Sequence, residues 1–323
     1  MSRDTIRAFL DRKKDEPILE IGPLTTPFLT KDRYNVYYSD IRDKEEIYSY
    51  YCDDKNVGST PEEVYEKILP VDYVVKNTYL DTVGSKRFSV IFSSHVIEHT
   101  SDIIRHFLEL SEILNDDGYL VMFIPDKRYC FDRFKENTPF RDALDVYLDR
   151  DIKSTARLVF DSYFNFNWGI SISDLAQNVN KYAESFLRYE KVKSGAYNDA
   201  HFWTFTDTSF LDFLRDVFRA NLIPYTLHSF FKTMPGLDEF SVILQKDISI
   251  QKDNAKRVNE IRKIVELVES SDVNNFMRQI EDLGKEIESL KQLNSYFVNS
   301  KSWKITAPLR KITALLRKYG RNE

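Results

Sequence analysis

Three side chains in this sequence combine a proton-transfer group with a strand exit or an aromatic cluster. His95 follows the apolar run Phe88–Phe92, and an imidazole titrates near neutrality. Asp126 comes directly after Tyr119–Pro125, in the polar run Asp126-Lys127-Arg128-Tyr129. His201 stands beside Phe202-Trp203. Each is a candidate general base. The bland readings stand beside these. Asp126 also reads as a turn residue, and His201 as a satisfied core histidine. His99 reads as a helix-start residue packed on a sheet. Lys127 and Arg128 either hold an anionic acceptor or are solvated. Cys52 and Cys130 have no Cys or His partner at ligand spacing, so no metal site is read.

A second set of residues points to a bound small molecule. Pro17-Ile18-Leu19-Glu20-Ile21-Gly22-Pro23 is an apolar run ending in an acid and a tight turn, the pattern of a buried strand and its exit. Asn35–Asp40 is a second run ending in an acid, Val71–Val75 a third with Asn77 just beyond it, and Phe88–Phe92 runs into Ser93-Ser94-His95. In an open α/β sheet ligands sit beyond the carboxyl ends of the strands. Glu20, Gly22, Pro23, Asp40, Asn77, Ser94 and His95 would then line one edge.

The elements that must position these residues alternate. An amphipathic helix over 4–13 precedes the first strand. Thr60 caps a helix from Pro61 to Ile68. Ser101 or Asp102 caps another, ending at Leu114, with an apolar stripe from Ile103 to Leu114. Asn115–Gly118 reads as a turn before a fifth strand, 119–125. A helix at 207–220 leads to two strands, 225–232 and 239–245, joined by Met234-Pro235-Gly236. Strands alternating with helices predict a mostly parallel, doubly wound α/β sheet, closed by an antiparallel pair. The core domain is 1–125 with 206–250. Residues 126–205 are too long for a plain connection. Their aromatics, among them Phe160, Tyr163, Trp168 and Phe186, mark a helical lid or substrate insertion.

From Asp253 the chain turns charged and helical. Val273, Phe276, Ile280, Leu283, Ile287, Leu290, Asn294 and Phe297 recur in steps of three and four, which predicts a short coiled coil over 253–298 with one polar seam position. Self-association through it outweighs the alternative of a helix packed back on the body. Residues 299–323 hold seven basic residues and one acid. With a net charge of −5 over the chain, the tail carries +6 and the rest −11. An acidic body argues against a nucleic-acid groove. The tail, with Trp303, Leu309, Ile312, Leu315, Leu316 and Tyr319, is a basic amphipathic segment suited to an anionic membrane face or a partner. No signal peptide or membrane-spanning run is read, and two cysteines fit a reducing cytoplasm.

Four stretches together resemble the class I S-adenosylmethionine-dependent methyltransferases. They are Leu19-Glu20-Ile21-Gly22, Tyr38-Ser39-Asp40, Phe88 to His99, and Leu114 to Leu120. The resemblance covers about residues 15–125 and implies a Rossmann-like, seven-stranded sheet with S-adenosylmethionine as cofactor. It implies that Asp40 takes the ribose hydroxyls, that Asn77 lies near the adenine, and that Ser94 and His95 wall the cofactor. Glu20 would order the turn around the methionine part. The sequence departs from the family at Leu24 and Thr26, where glycines are usual. The Gly-Pro-Leu turn is similar to that of methyltransferase-like proteins associated with bacterial surface polysaccharides. The Phe88–His99 and Leu114–Leu120 strings resemble the family's small-molecule branch, and the Ser302–Arg310 segment is similar to segments that follow coiled coils in bacterial glycan-assembly proteins. Together these imply a small-molecule or glycan acceptor, with a glycosyltransferase partner or membrane contact through the tail. Two other readings stay open: a non-catalytic scaffold whose altered turn has lost its cofactor, and a weaker one, an NAD-dependent enzyme.

Overall fold

The computed structural model describes residues 2–55, 57–149, 152–166, 181–196 and 198–310. Trp168 and the tail residues Ile312, Leu315, Leu316 and Tyr319 lie outside the described residues. The chain forms two compact units, Met1–Glu266 and Leu267–Glu323.

The first unit is built on one seven-stranded sheet. Its strands are β1 (Ile18–Ile21), β2 (Val36–Asp40), β3 (Tyr73–Val74), β4 (Phe88–Ser94), β5 (Leu114–Pro125), β6 (Tyr225–Phe231) and β7 (Glu239–Lys246). The order is β3-β2-β1-β4-β5-β7-β6. The first five pair in parallel, and β7 pairs antiparallel with both β5 and β6. This is the expected Rossmann-like arrangement. The chain reverses its winding between β1 and β4, so the crevice for a ligand opens beyond Ile21 and Ser94.

Each face of the sheet is covered because the strands alternate. Ile18, Val36, Tyr38, Val90, Phe92, Val121, Phe123 and Ile243 share one cluster with Ile6, Phe9 and Leu10 of helix α1 (Ser2–Asp11). The connection from β1 to β2 contains no helix. Pro23 and Pro27 interrupt it, and Leu29 and Tyr34, with the partly buried Phe28, fill the same cluster from the loop. Phe28 stacks on Phe92 at 4.8 Å. On the other side, Tyr225 meets Phe107 of α5 (Ile103–Ile113), and Phe240 meets Phe210.

The predicted caps are present. Thr60 accepts the Glu63 N–H at the start of the helix Pro61–Lys67, and Asp102 accepts the Arg105 N–H at the start of α5. Two short helices arise where the sequence offered no long apolar stripe: α2 (Lys44–Tyr51), closed by an Asp43–Glu46 capping box, and Tyr79–Val83, capped by Thr78. The 115–118 turn is instead part of β5. Leu114 pairs with Phe88 across a register shift before Tyr119 pairs with Val90, so a bulge carries the chain where a free turn was expected.

The described part of the insertion is largely helical. It contains α6 (Phe140–Asp149), α7 (Ile152–Asn165) and α8 (Lys181–Lys193), and α9 (Asp207–Arg219) follows it under a Thr206–Ser209 capping box. The helix α10 (Asn254–Asn299) begins in the first unit. There Glu260 accepts the Leu227 N–H at 3.0 Å, and Ile264 is fully buried. In the second unit Ile280, Leu283, Ile287 and Leu290 are each more than half exposed. Among the described residues, no helix is long and apolar enough to cross a membrane.

Candidate active site

The strand ends set one edge of the site. Gly22 takes φ +66, and a Cβ there would stand 3.2 Å from Val96 Cγ2, so bare backbone is needed where the β1 and β4 exits approach each other. Leu24 also takes a left-handed φ of +46. The turn therefore keeps left-handed backbone at the first two positions where the family has glycines, although the second is leucine. Leu24 tolerates this because it is anchored. Its carbonyl accepts the Leu69 N–H at 2.9 Å, and its side chain packs with Ile47, Val64 and Ile68. Glu20 is buried and its two oxygens accept the Phe28 and Leu29 N–H groups at 2.7 and 2.9 Å. These two bonds order the far arm of the loop, beyond the Gly22–Leu24 turn. Burial pushes the Glu20 carboxyl up to about 7, against the pull of those two bonds and of Arg7.

Asp40 ends β2, its Oδ1 accepting the Arg42 N–H at 3.1 Å. Burial raises its carboxyl, outweighing the Arg42 and Ile41 N–H bonds. Pro23 is buried in the turn, Asn77 is exposed beyond β3, and Ser94 is half-buried at the end of β4. This edge fits an adenosyl cofactor: bare backbone at Gly22, and a carboxylate at the strand end where paired hydroxyls can be accepted.

Beside it lies a cavity of about 250 Å³ lined by His95, Glu98, His99, Tyr129, Phe131 and His201, among others. His95 belongs to both regions. Its backbone takes φ +54, uncommon for a residue with a side chain, and its N–H is tied to the Phe123 carbonyl at 3.0 Å. Its Nε2 lies 3.1 Å from Glu239 Oε2. Glu239 is itself gripped by the Arg3 guanidinium at 2.6 and 2.9 Å. A carboxylate only accepts, so it takes the Nε2–H and leaves Nδ1 as the basic nitrogen. Burial opposes a charge on the His95 ring, but Glu239, Glu98 and Asp238 outweigh it and the pKa is raised.

The insertion supplies part of the cavity wall, through Tyr129, Cys130, Phe131 and His201. The Phe202 N–H donates to the Glu98 carbonyl at 2.7 Å, and Trp203 Nε1 donates to the Thr100 carbonyl at 2.5 Å. This strap brings the buried His201 against His99, ring centroids 4.6 Å apart. His99 is therefore a cavity residue, correcting the helix-start reading. Glu98 and His99 were missed as site residues. The spacing His95-x-x-Glu98-His99 was the available signal, and it was absorbed into the strand-exit motif.

Asp126 does not join the cavity. It is fully buried, and its oxygens accept from the Arg128 N–H (3.0 Å), Nε (2.9 Å) and Nη2 (2.5 Å) and from Thr233 Oγ1 (2.7 Å). Every acceptor position is occupied, so it positions Arg128 and cannot serve as a base. Arg128 also bonds Asp207 at 2.7 Å, which ties it into the same cluster.

A family model described as a methyltransferase domain matches residues 1–215. The chain belongs to the methyltransferase domain family. No curated protein matches this methyltransferase. Similar solved structures include the CurJ carbon methyltransferase, at 11% identity and TM-score 0.38, covering 76% of this chain and 54% of that one. The chain thus spans about half the length of that relative. The plantazolicin methyltransferase BpumL, in complex with SAH, is 10% identical over 76% of this chain and 81% of its own, with TM-score 0.37. A SAM-dependent methyltransferase from Aquifex aeolicus is 10% identical over 76% and 89%, with TM-score 0.35.

Proposed function

We propose that this methyltransferase moves a methyl group from S-adenosylmethionine to a hydroxyl of a small molecule or glycan, in the context of bacterial surface-polysaccharide assembly. The observation that carries the reading is the double membership of His95, which ends the cofactor edge and lines the neighbouring cavity. A sulfonium methyl placed over that boundary faces an acceptor in the cavity. The bound cofactor supplies the electrophilic methyl, and the chain supplies position and a proton acceptor. Gly22 and Asp40 hold the adenosyl part. His95 Nδ1 takes the hydroxyl proton, with Glu239 and Arg3 fixing the ring. The aromatic rings of Tyr129 and Phe131 offer flat apolar walls of the kind that bind a ring-shaped acceptor.

The polysaccharide context rests on the Gly-Pro-Leu turn and the coiled-coil pattern. Self-association through α10 is part of the proposal, supported by the exposed apolar positions Ile280, Leu283, Ile287 and Leu290. Titration calorimetry with S-adenosylmethionine tests the cofactor, followed by labelled methyl transfer to candidate sugar acceptors. Asp40→Ala is expected to weaken cofactor binding more than about tenfold, roughly 1.4 kcal/mol. Absence of heat and of thermal shift with the wild-type chain favours the scaffold reading.

A further inference from the structure

Glu98 is 1% exposed, and among the described residues neither of its carboxylate oxygens has a hydrogen-bond partner. A buried carboxylate is otherwise paired, hydrogen-bonded or bound to a metal. Three imidazoles face Glu98. His95 Nδ1 is 4.0 Å from Oε1 but gives its ring proton from Nε2 to Glu239, and the other two direct theirs to acids behind them. His99 Nδ1 lies 2.8 Å from Asp199 Oδ1, and His201 Nδ1 makes a short hydrogen bond to Asp132. Each carboxylate takes the Nδ1–H of its ring, which leaves both Nε2 atoms as bare lone pairs. His99 Nε2 is 3.9 Å from Glu98 Oε1. One donor atom from each of Glu98, His99 and His201 lies within 4.8 Å of the other two.

We propose that Glu98, His99 and His201 bind a divalent transition-metal cation such as Zn²⁺ or Mn²⁺. Two neutral imidazoles and one carboxylate form a mixed nitrogen–oxygen set that suits such ions better than Mg²⁺ or Ca²⁺, which favour oxygen ligands. Asp199 and Asp132 behind the rings are the outer carboxylates that fix tautomer and ring orientation in histidine-ligated sites. The cation satisfies the Glu98 oxygens and uses the two lone pairs that the outer acids expose. Three elements supply the site. The turn after β4 gives Glu98 and His99, the strap before α9 gives His201, and the segment after β5 gives Asp132. Binding therefore ties the insertion to the sheet.

All three ligands line the cavity. Three protein ligands leave coordination positions open, and an acceptor hydroxyl can enter one of them. That last consequence rests on the methyl-transfer reading, whereas cation binding does not.

The test uses the full-length, tag-free chain, stripped with a chelator and titrated with Zn²⁺ and, separately, Mn²⁺ by calorimetry. S-adenosylmethionine binding is measured on the same samples. One equivalent of cation per chain is expected. Glu98→Gln, which keeps shape and removes charge, should weaken cation binding at least a hundredfold, and His99→Ala should do the same. Asp199→Asn acts on an outer, partly exposed residue and should cost 10–100-fold. Circular dichroism and cofactor affinity report whether each variant is folded. The proposal is overturned if neither ion binds the wild-type chain, or if binding survives Glu98→Gln and His99→Ala unchanged. Cation binding without cofactor binding would sink the methyl-transfer reading and leave the cation site standing; the reverse would do the opposite.

Discussion

The His95 ring is held from one side by a chain of charges, Arg3 to Glu239 to Nε2, so its free nitrogen has one direction to work in. Orientation of this kind is what separates a base from a passing imidazole. His95→Ala is expected to lower kcat by about 10²–10⁴, with cofactor affinity changed less than about tenfold. A matched fall in cofactor binding would instead make His95 a wall residue only. Glu20 allows a sharper test because its ionisation is coupled to folding. Its carboxyl is raised from 4.5 to about 7 by burial, so the folded state favours the protonated form. That stabilisation is complete below about pH 4.5 and is lost as pH rises through about 7. The loss is on the order of 3 kcal/mol. Urea unfolding of wild type and Glu20→Gln at pH 4.5 and pH 8 isolates it. The glutamine variant carries a constant penalty for the lost acceptor, and the wild type should lose its advantage at the higher pH. A pH-independent difference between the two chains would show that the N–H bonds from Phe28 and Leu29 outweigh burial.

At the scale of elements, the turn after β1 decides whether the cofactor edge exists. Gly22→Ala meets two penalties, a positive φ and a Val96 methyl 3.2 Å from the new Cβ. A left-handed alanine alone costs about 1–2 kcal/mol. The variant should unfold at lower urea by about that amount, with weaker cofactor binding. Unchanged values on both counts would mean that this turn is not where the β1 and β4 exits constrain each other. The strands and caps were legible because they depend on neighbours in sequence: Asp102 and Thr60 sit where a cap is needed, and Val90, Phe92, Val121 and Phe123 alternate. The backbone of Leu24 was not legible, since nothing in Gly-Pro-Leu-Thr-Thr shows that Leu69 and the Ile47–Val64–Ile68 cluster anchor a left-handed leucine. Asp126 was misread for a similar reason. Its position after a strand is local, but the Thr233 and Arg128 groups that consume its oxygens arrive through the fold. The pairing of His99 with Asp199, one hundred residues apart, has no local signal at all.

For the whole molecule, the α10 seam is what connects one chain to another in the proposed assembly. Within the second unit Ile280, Leu283, Ile287 and Leu290 are each 52–58% exposed and recur in steps of three and four. A single helix that leaves such a stripe in water gains little from it, whereas a second copy covers it knob into hole. Burying four aliphatic side chains on each of two chains removes enough apolar surface to drive association. Asn294 then sets the register, because a polar seam residue is least costly opposite its own kind. Ile287→Glu with Leu290→Glu in the full-length chain puts like charges across the same seam. Light scattering should report a fall to the mass of one chain, with the catalytic unit still folded by circular dichroism and still binding cofactor. An unchanged mass would assign assembly to another surface. A wild-type chain that is already a monomer would remove the coiled coil from the proposal. The stripe would then have to be covered by a protein of another kind.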